Sequence, residues 1–172
     1  MNRISGYKYC PYDGEPLKVR KVDSKRLRVC PECGFTDYQN PKACVAILIT
    51  SGRKVLLGRR KYKPAKGKWD IPGGFVDRGE SVEKAVKREA YEETKLRVQI
   101  KKYLGSIPDV YGGRKKRPTV NLCFHVKVLR GKPKAGSDVD LLEWFSLDRL
   151  PKEMAFAHQK RALKLLKGKR KT

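Results

Sequence analysis

Apolar residues along this chain fall into short runs separated by polar, glycine-rich or proline-rich punctuation. Residues 43–50 form one unbroken run, ACVAILIT, the pattern of a strand covered on both faces. Ser51-Gly52 marks a turn, and residues 54–57 return as a second strand. A basic loop follows, with Arg59, Arg60, Lys61, Lys63, Lys66 and Lys68. The period then changes. Val82, Ala85 and Val86 recur at helical spacing, with Glu89 and Glu93 on the same face and Ser81 in front as N-cap. Residues 98–104 and 119–129 read as strands, and the glycines and prolines of 105–118 predict a loop between them. A polar loop at 131–139 precedes a strand at 140–145, and Leu147–Pro151 turns into a last helix over 155–167. Upstream, 17–22 and 25–29 read as two short strands.

Length and composition set the organisation. At 172 residues, one main domain with a small appendage is expected. The boundaries fall at 1–40, a cysteine-bearing unit, 41–167, the main domain, and 168–172, a basic tail. No run approaches the 18 apolar residues of a membrane span, so no membrane partner is expected. The first nine residues carry no apolar segment of a secretory signal, so a cytoplasmic location is expected. In that setting the five cysteines read as thiols or metal ligands rather than disulfides.

Charge adds a partner class. Net charge is +24, from 42 basic and 18 acidic residues. The excess is spread: residues 1–42 hold 9 basic against 5 acidic, 43–150 hold 25 against 12, and 151–172 hold 8 against 1. Such a field attracts nucleotides, RNA or another polyanion. A general lysine bias of the source proteome is the alternative.

Against that background Glu89, Glu92 and Glu93 stand out. They occupy i, i+3 and i+4 of the expected helix, where like charges repel by roughly 0.2–0.5 kcal/mol per pair. Three carboxylates converging from one turn suit a hard divalent cation such as Mg²⁺ or Mn²⁺. A second candidate metal centre is N-terminal. Cys30-Pro31-Glu32-Cys33-Gly34 has the form C-P-x-C-G, and Cys10-Pro11-Tyr12-Asp13-Gly14 repeats it with Asp13 in place of the second cysteine. Cys10, Cys30 and Cys33 with Asp13 would give zinc four ligands; a site packing without metal is the alternative.

From Gly74 there are five residues to Glu80, seven more to Arg88-Glu89, two more to Glu92-Glu93, and the run ends at Leu96. This resembles the Nudix box, G-x5-E-x7-R-E-U-x-E-E-x-G-U, where U is a bulky aliphatic residue. Ala90 and Lys95 depart from it, Lys95 replacing the last glycine. The preceding Gly67–Gly74, GKWDIPGG, matches a second mark of the family, G-x-W-x-[IL]-P-G-G. The resemblance implies an α/β (α+β) fold, a Nudix α/β/α sandwich with a mixed sheet, here preceded by a small zinc-ribbon-like β unit. It implies hydrolysis of a pyrophosphate bond in a nucleoside diphosphate derivative. The metal would be held by Glu89, Glu92, Glu93 and the carbonyl of Gly73, with Arg88 fixing the glutamates. Glu89 or Glu143 would take the proton of the attacking water, with Asp138 and Asp140 behind Glu143. Arg59, Asp109, Tyr111 and Arg114 are the expected substrate contacts, Tyr111 by stacking on a base.

The ribbon ahead of the box resembles that of the Nudix subgroup acting on NADH, ADP-ribose or FAD. The S-Q-P-W-P-F-P-x-S motif of NADH pyrophosphatases is missing after the box, so an ADP-ribose-like substrate is expected ahead of NADH. An RNA-binding or RNA 5′-end-processing protein is the other reading, and a homodimer is compatible with the family.

Overall fold

The structure, a computed structural model, describes residues 6–112, 117–136 and 138–168. They divide into two compact units, with the boundary between Asn40 and Pro41.

The first unit is a three-stranded antiparallel sheet in the order β1-β2-β3, formed by β1 (Lys18–Val22), β2 (Lys25–Val29) and β3 (Thr36–Asp37). The segment just after Cys30 and Cys33 contributes the third strand: Val29 pairs with Thr36 and Arg28 with Asp37. The core of this unit is small, with Cys10, Leu17 and Cys30 buried and Phe35 packed against them.

The second unit is built on β4 (Lys42–Ser51), β5 (Lys54–Arg60), β6 (Trp69–Asp70), β7 (Arg97–Tyr111), β8 (Arg117–Arg130) and β9 (Val139–Ser146). Five strands run in the order β6-β5-β4-β8-β7, and β9 also pairs with β5. The sheet is mixed, because β4 and β8 are parallel while the other pairs are antiparallel. Strand β4 explains the unbroken apolar run. Val45, Ile47 and Ile49 face a cluster that includes Ala85, Val86 and Ala90 of α1 (Val82–Thr94). Ala46 and Leu48 face the opposite cluster, with Ala162 and Leu163 of α2 (Ala157–Lys167). Helices on both faces give the expected α/β/α sandwich. Among the described residues no helix is long and apolar enough to cross a membrane.

One expectation fails in the main unit. The sequence predicts a loop over 105–118, yet β7 continues to Tyr111 and β8 begins at Arg117. Register shifts between Ile100 and Lys102 and between Tyr103 and Gly105 absorb extra residues without ending the pairing. Strand β7 lies at the sheet edge, where a proline such as Pro108 is tolerated. Gly105 marks a bulge and Pro108 stays in register opposite Val120, both within a long ribbon rather than at its end.

Helix α1 starts as its sequence dictates, with Ser81 Oγ accepting from Lys84 N at 3.3 Å. It ends on Lys95, which adopts φ 58° and ψ 16° and donates its N–H to the Tyr91 carbonyl. This is the left-handed position where glycine is cheapest. The lysine ammonium caps the Glu92 carbonyl at 3.3 Å and sits 5.3 Å above the Tyr91 ring. Lys95→Gly is expected to stabilise the protein by about 0.5–1 kcal/mol, the left-handed penalty less the extra entropy of glycine. A rise in Tm of about 1–4 °C, measured by calorimetry, would show it.

Candidate active site

The segment before α1 is held against the sheet by backbone bonds. Ile47 N donates to Pro72 O and Val45 N to Gly74 O, both at 2.8 Å, and Val76 N donates to Ala43 O at 3.1 Å. This alternation turns the carbonyls of residues 72 and 74 to β4. The carbonyl of Gly73 accepts no hydrogen bond among the described residues. A Cβ on Gly73 would overlap the Val45 carbonyl, and one on Gly74 would overlap the Glu89 carboxylate. Both glycines are therefore needed for close approach.

Arg88 ties the carboxylates together. Its Nε and Nη2 grip Glu80 at 3.0 and 2.8 Å, and Nη2 also donates to the Phe75 carbonyl at 3.0 Å. Its Nη1 donates to Glu89 Oε1 at 2.8 Å and to Glu92 Oε2 at 3.2 Å. The guanidinium holds the Glu80 carboxyl below its ordinary range. Glu89 is shifted the other way, because burial outweighs the Arg88 contact. Glu93 accepts from Gly73 N at 3.1 Å. Burial first, then the charge of Asp70, pushes its carboxyl up to about 8. Two carboxylates set into the protein beside an unbonded carbonyl form an all-oxygen donor set that fits a hard divalent cation.

Glu89 and Glu93 line a cleft of about 380 Å³ whose other wall comes from β5, β7, β8 and the start of α2. Tyr111 lines it too, edge-on to Phe75 at 5.6 Å and tilted against Phe156 at 5.9 Å. His158 stacks on Phe156 at 5.9 Å, and its Nδ1 bonds to Asp109. Arg60 spans the floor, pairing with Asp70 at 2.6 Å, donating to the Pro64 carbonyl and lying 5.1 Å over the Phe156 ring.

The sequence-derived candidates divide accordingly. Glu89, Glu93, Gly73, Asp109 and Tyr111 meet in the cleft. Arg88 lies behind the glutamates, and Glu92 sits at the rim with its side chain 54% exposed. Arg59 is turned outward into a pair with Asp140 at 2.8 Å. Arg114 lies outside the described residues. Glu143 is exposed on β9, opposite Leu57 in the ladder, and does not line the cleft; Asp138 does. Sequence reasoning misses Arg60, Phe75, Phe156 and His158 as cleft residues. Of these, Arg60 stands in the basic run, while the sequence around His158 suggests only a plain helix-face residue. Cys123 is buried and His125 bonds to Thr50 Oγ1 at 2.8 Å, both away from the cleft.

In the N-terminal unit, ligand atoms of Cys10, Asp13, Cys30 and Cys33 all lie within 4.8 Å of one another. Cys10 Sγ and Cys33 Sγ are 3.5 Å apart, and Cys30 Sγ is 3.3 Å from Asp13 Oδ2. The Asp13 carboxylate beside it pushes the Cys33 thiol up to about 12. Four acidic donors packed this closely suit a cation that ionises them all, and the S₃O set fits zinc.

The comparisons with known proteins agree with this geometry. The family described as NUDIX domain matches residues 40–166. The chain is 39% identical over 145 residues to the ADP-ribose pyrophosphatase of Methanocaldococcus jannaschii, covering 83% of this chain and 78% of that one. It is 33% identical over 136 residues to the NAD-capped RNA hydrolase NudC of Pseudomonas aeruginosa, covering 78% of this chain and 46% of that one, about half its length. A crystal structure of a NUDIX hydrolase from Nitrosomonas europaea superposes with a TM-score of 0.73 at 28% identity, over 94% of this chain and 89% of that one. Nudix hydrolases generally need a divalent metal, which suits the carboxylates of the cleft. By its glycine loop and glutamate helix, and by these matches, the chain belongs to the NUDIX family of pyrophosphohydrolases.

Proposed function

We propose that this chain hydrolyses an ADP-ribose-like nucleoside diphosphate derivative to a nucleoside monophosphate and a second phosphate ester. The observation that carries the reading is one cleft with a carboxylate wall and an aromatic wall. Glu89, Glu93 and the Gly73 carbonyl meet there with Tyr111, Phe75 and Phe156. Oxygen donors suit the metal-neutralised pyrophosphate, and aromatic faces suit the base. The 39% identical relative named an ADP-ribose pyrophosphatase supports the choice of substrate.

Glu89, Glu93 and the Gly73 carbonyl would hold Mg²⁺ or Mn²⁺, with Glu92 added from the rim. The bound metal supplies neutralising charge for the pyrophosphate and acidifies a water. Arg88 keeps the glutamates in register. Glu89 takes the proton; Glu143 lies outside the cleft, and Asp138 lines it in that residue's stead. The water oxygen bonds to one phosphorus and the bond from that phosphorus to the bridging oxygen breaks. Arg60 is held by Asp70 at the cleft floor and offers its charge to the phosphates, the role that the sequence suggests for Arg59.

The test is a screen of ADP-ribose, FAD and NADH with Mg²⁺ and with Mn²⁺, read by chromatography. Release of AMP and ribose 5-phosphate from ADP-ribose, at a higher kcat/KM than for FAD or NADH, is expected. No metal-dependent cleavage of any of the three would refute the proposal.

A further inference from the structure

The β1–β2 hairpin carries a charge arrangement that the fold does not require. Lys18, Arg20, Lys21, Lys25 and Arg26 are all exposed. None of the five has an ion-pair partner among the described residues. Lys21 stands directly opposite Arg26 in the ladder, a like-charge cross-strand pair that weakens a sheet. Lysines on an edge strand guard against strand-to-strand aggregation, which accounts for β1. It does not account for Lys25 and Arg26, because β2 is the central strand of the three.

The same small unit exposes aromatic rings. Tyr12 is 80% exposed and Tyr9 62%, with Tyr7 and Tyr38 about half exposed. Tyr7 and Tyr12 both stand edge-on to Phe35, at 6.2 and 5.6 Å, so they are propped in place rather than loose. Tyr9 pairs with Pro16, two residues before β1 begins. Cations alone would suit any polyanion. Cations in the same small unit as solvent-facing rings, Tyr12 among them held by Phe35, suit a polyanion that also carries flat faces to stack.

We infer that the N-terminal unit is a contact surface for single-stranded nucleic acid. Lys18, Arg20, Lys21, Lys25 and Arg26 take the phosphates, and Tyr9 and Tyr12 stack on unpaired bases. Duplexes are disfavoured because their bases are not free to stack. The surface lies in a different unit from the cleft and works without the hydrolytic reaction.

The test uses the full chain and dye-labelled twelve-residue oligouridylate and oligothymidylate with 5′-hydroxyl ends, which hold no pyrophosphate to cleave. Anisotropy titrations between about 50 and 300 mM KCl give affinity and salt slope. The wild type is expected to bind either single strand more tightly than a duplex of the same length. Lys21→Gln with Arg26→Gln should flatten the slope of log K on log salt by about 1.4, at about 0.7 for each phosphate that is no longer neutralised. Tyr9→Ala with Tyr12→Ala should leave the slope unchanged and weaken binding about fivefold or more. Unchanged ADP-ribose hydrolysis and metal content would show that both variants remain folded. Wild-type binding by the charge variant would overturn the inference. A tyrosine variant that binds as tightly as the wild type would also overturn it, because a simple polyanion or an acidic polypeptide gives that result. Preference for duplex is the third overturning outcome, and the ribo- and deoxyribo-oligonucleotides separate RNA from DNA.

Discussion

Glu93→Gln is expected to lower kcat by about 10²–10⁴-fold, a loss as large as that of a positioned general base, while making the metal-free protein more stable. The two effects share one cause. Glu93 is set into the protein beside Asp70 and Glu89, with Asp138 also near, and its carboxyl is pushed up to about 8. A carboxyl raised in the folded state holds its proton longer there than in the unfolded chain. The folded protein therefore bears no penalty below about pH 4.5, a growing one between 4.5 and 8, and the full one above 8. Glutamine keeps the shape and can still accept from Gly73 N, but it never ionises. The gain should reach about 1 kcal/mol or more at pH 8, or about 2–4 °C in Tm, and should vanish near pH 4.

Mg²⁺ or Mn²⁺ should reverse that order, since a metal that binds the folded wild type stabilises it by mass action. The variant, lacking an ionised Glu93, should gain little. Thermal melts with and without metal, at pH 5 and pH 8, beside steady-state kinetics, check all three statements. A variant with undiminished kcat, or one that gains as much from metal as the wild type, would remove Glu93 from the metal site, and one less stable than the wild type without metal at pH 8 would overturn the burial argument.

How much of the fold and the cleft is legible in the sequence depends on the distance over which each signal acts. The box helix is written locally. Ser81 caps it, Val82, Ala85 and Val86 face the core, and Arg88 lies within one or two turns of the carboxylates it ties. The aromatic wall is not local. Asp109 and His158 are 49 residues apart, and they meet because β7 continues past Gly105 and Pro108 to deliver Asp109 and Tyr111 beside α2.

Strand parity decides other misses. The register of β5 against β9 shifts between Arg59 and Arg60. Side chains of β5 alternate regardless, so Gly58 and Arg60 line the cleft while Arg59 between them pairs outward with Asp140. A one-residue difference in phase decides which side chain faces which side, and a basic run such as Arg59-Arg60-Lys61 gives no sign of the phase. The choice of Glu143 over Asp138 fails in the same way. Asp138 lies just before β9, where its carbonyl accepts from Lys61 N at 3.0 Å and holds it at the cleft, while Glu143 is carried away along the strand.

Removing metal from the N-terminal cluster should have the largest effect on structure. Among the described residues of the unit five apolar ones are buried, Cys10, Leu17, Leu27, Val29 and Cys30, too little for a domain of this size to fold on hydrophobic burial. Structural zinc sites contribute apparent free energies of about 10–16 kcal/mol in small peptides, several times what such a core can provide. The protein as isolated is expected to hold one zinc per chain. Stripping it with a strong chelator under reducing conditions should collapse amide protection across β1, β2 and β3. Protection in β4 and β8 should persist, because that core is closed on both faces by α1 and α2. Asp13 sharpens the test, since a carboxylate oxygen is a harder and weaker partner for zinc than a thiolate. Asp13→Cys should therefore slow zinc loss to the chelator, and Asp13→Ala should speed it. Hydrogen exchange with metal analysis reads each case. Unchanged protection in the stripped, reduced protein would mean that Cys10, Asp13, Cys30 and Cys33 pack together without a metal, and the balance between core size and metal would then be wrong.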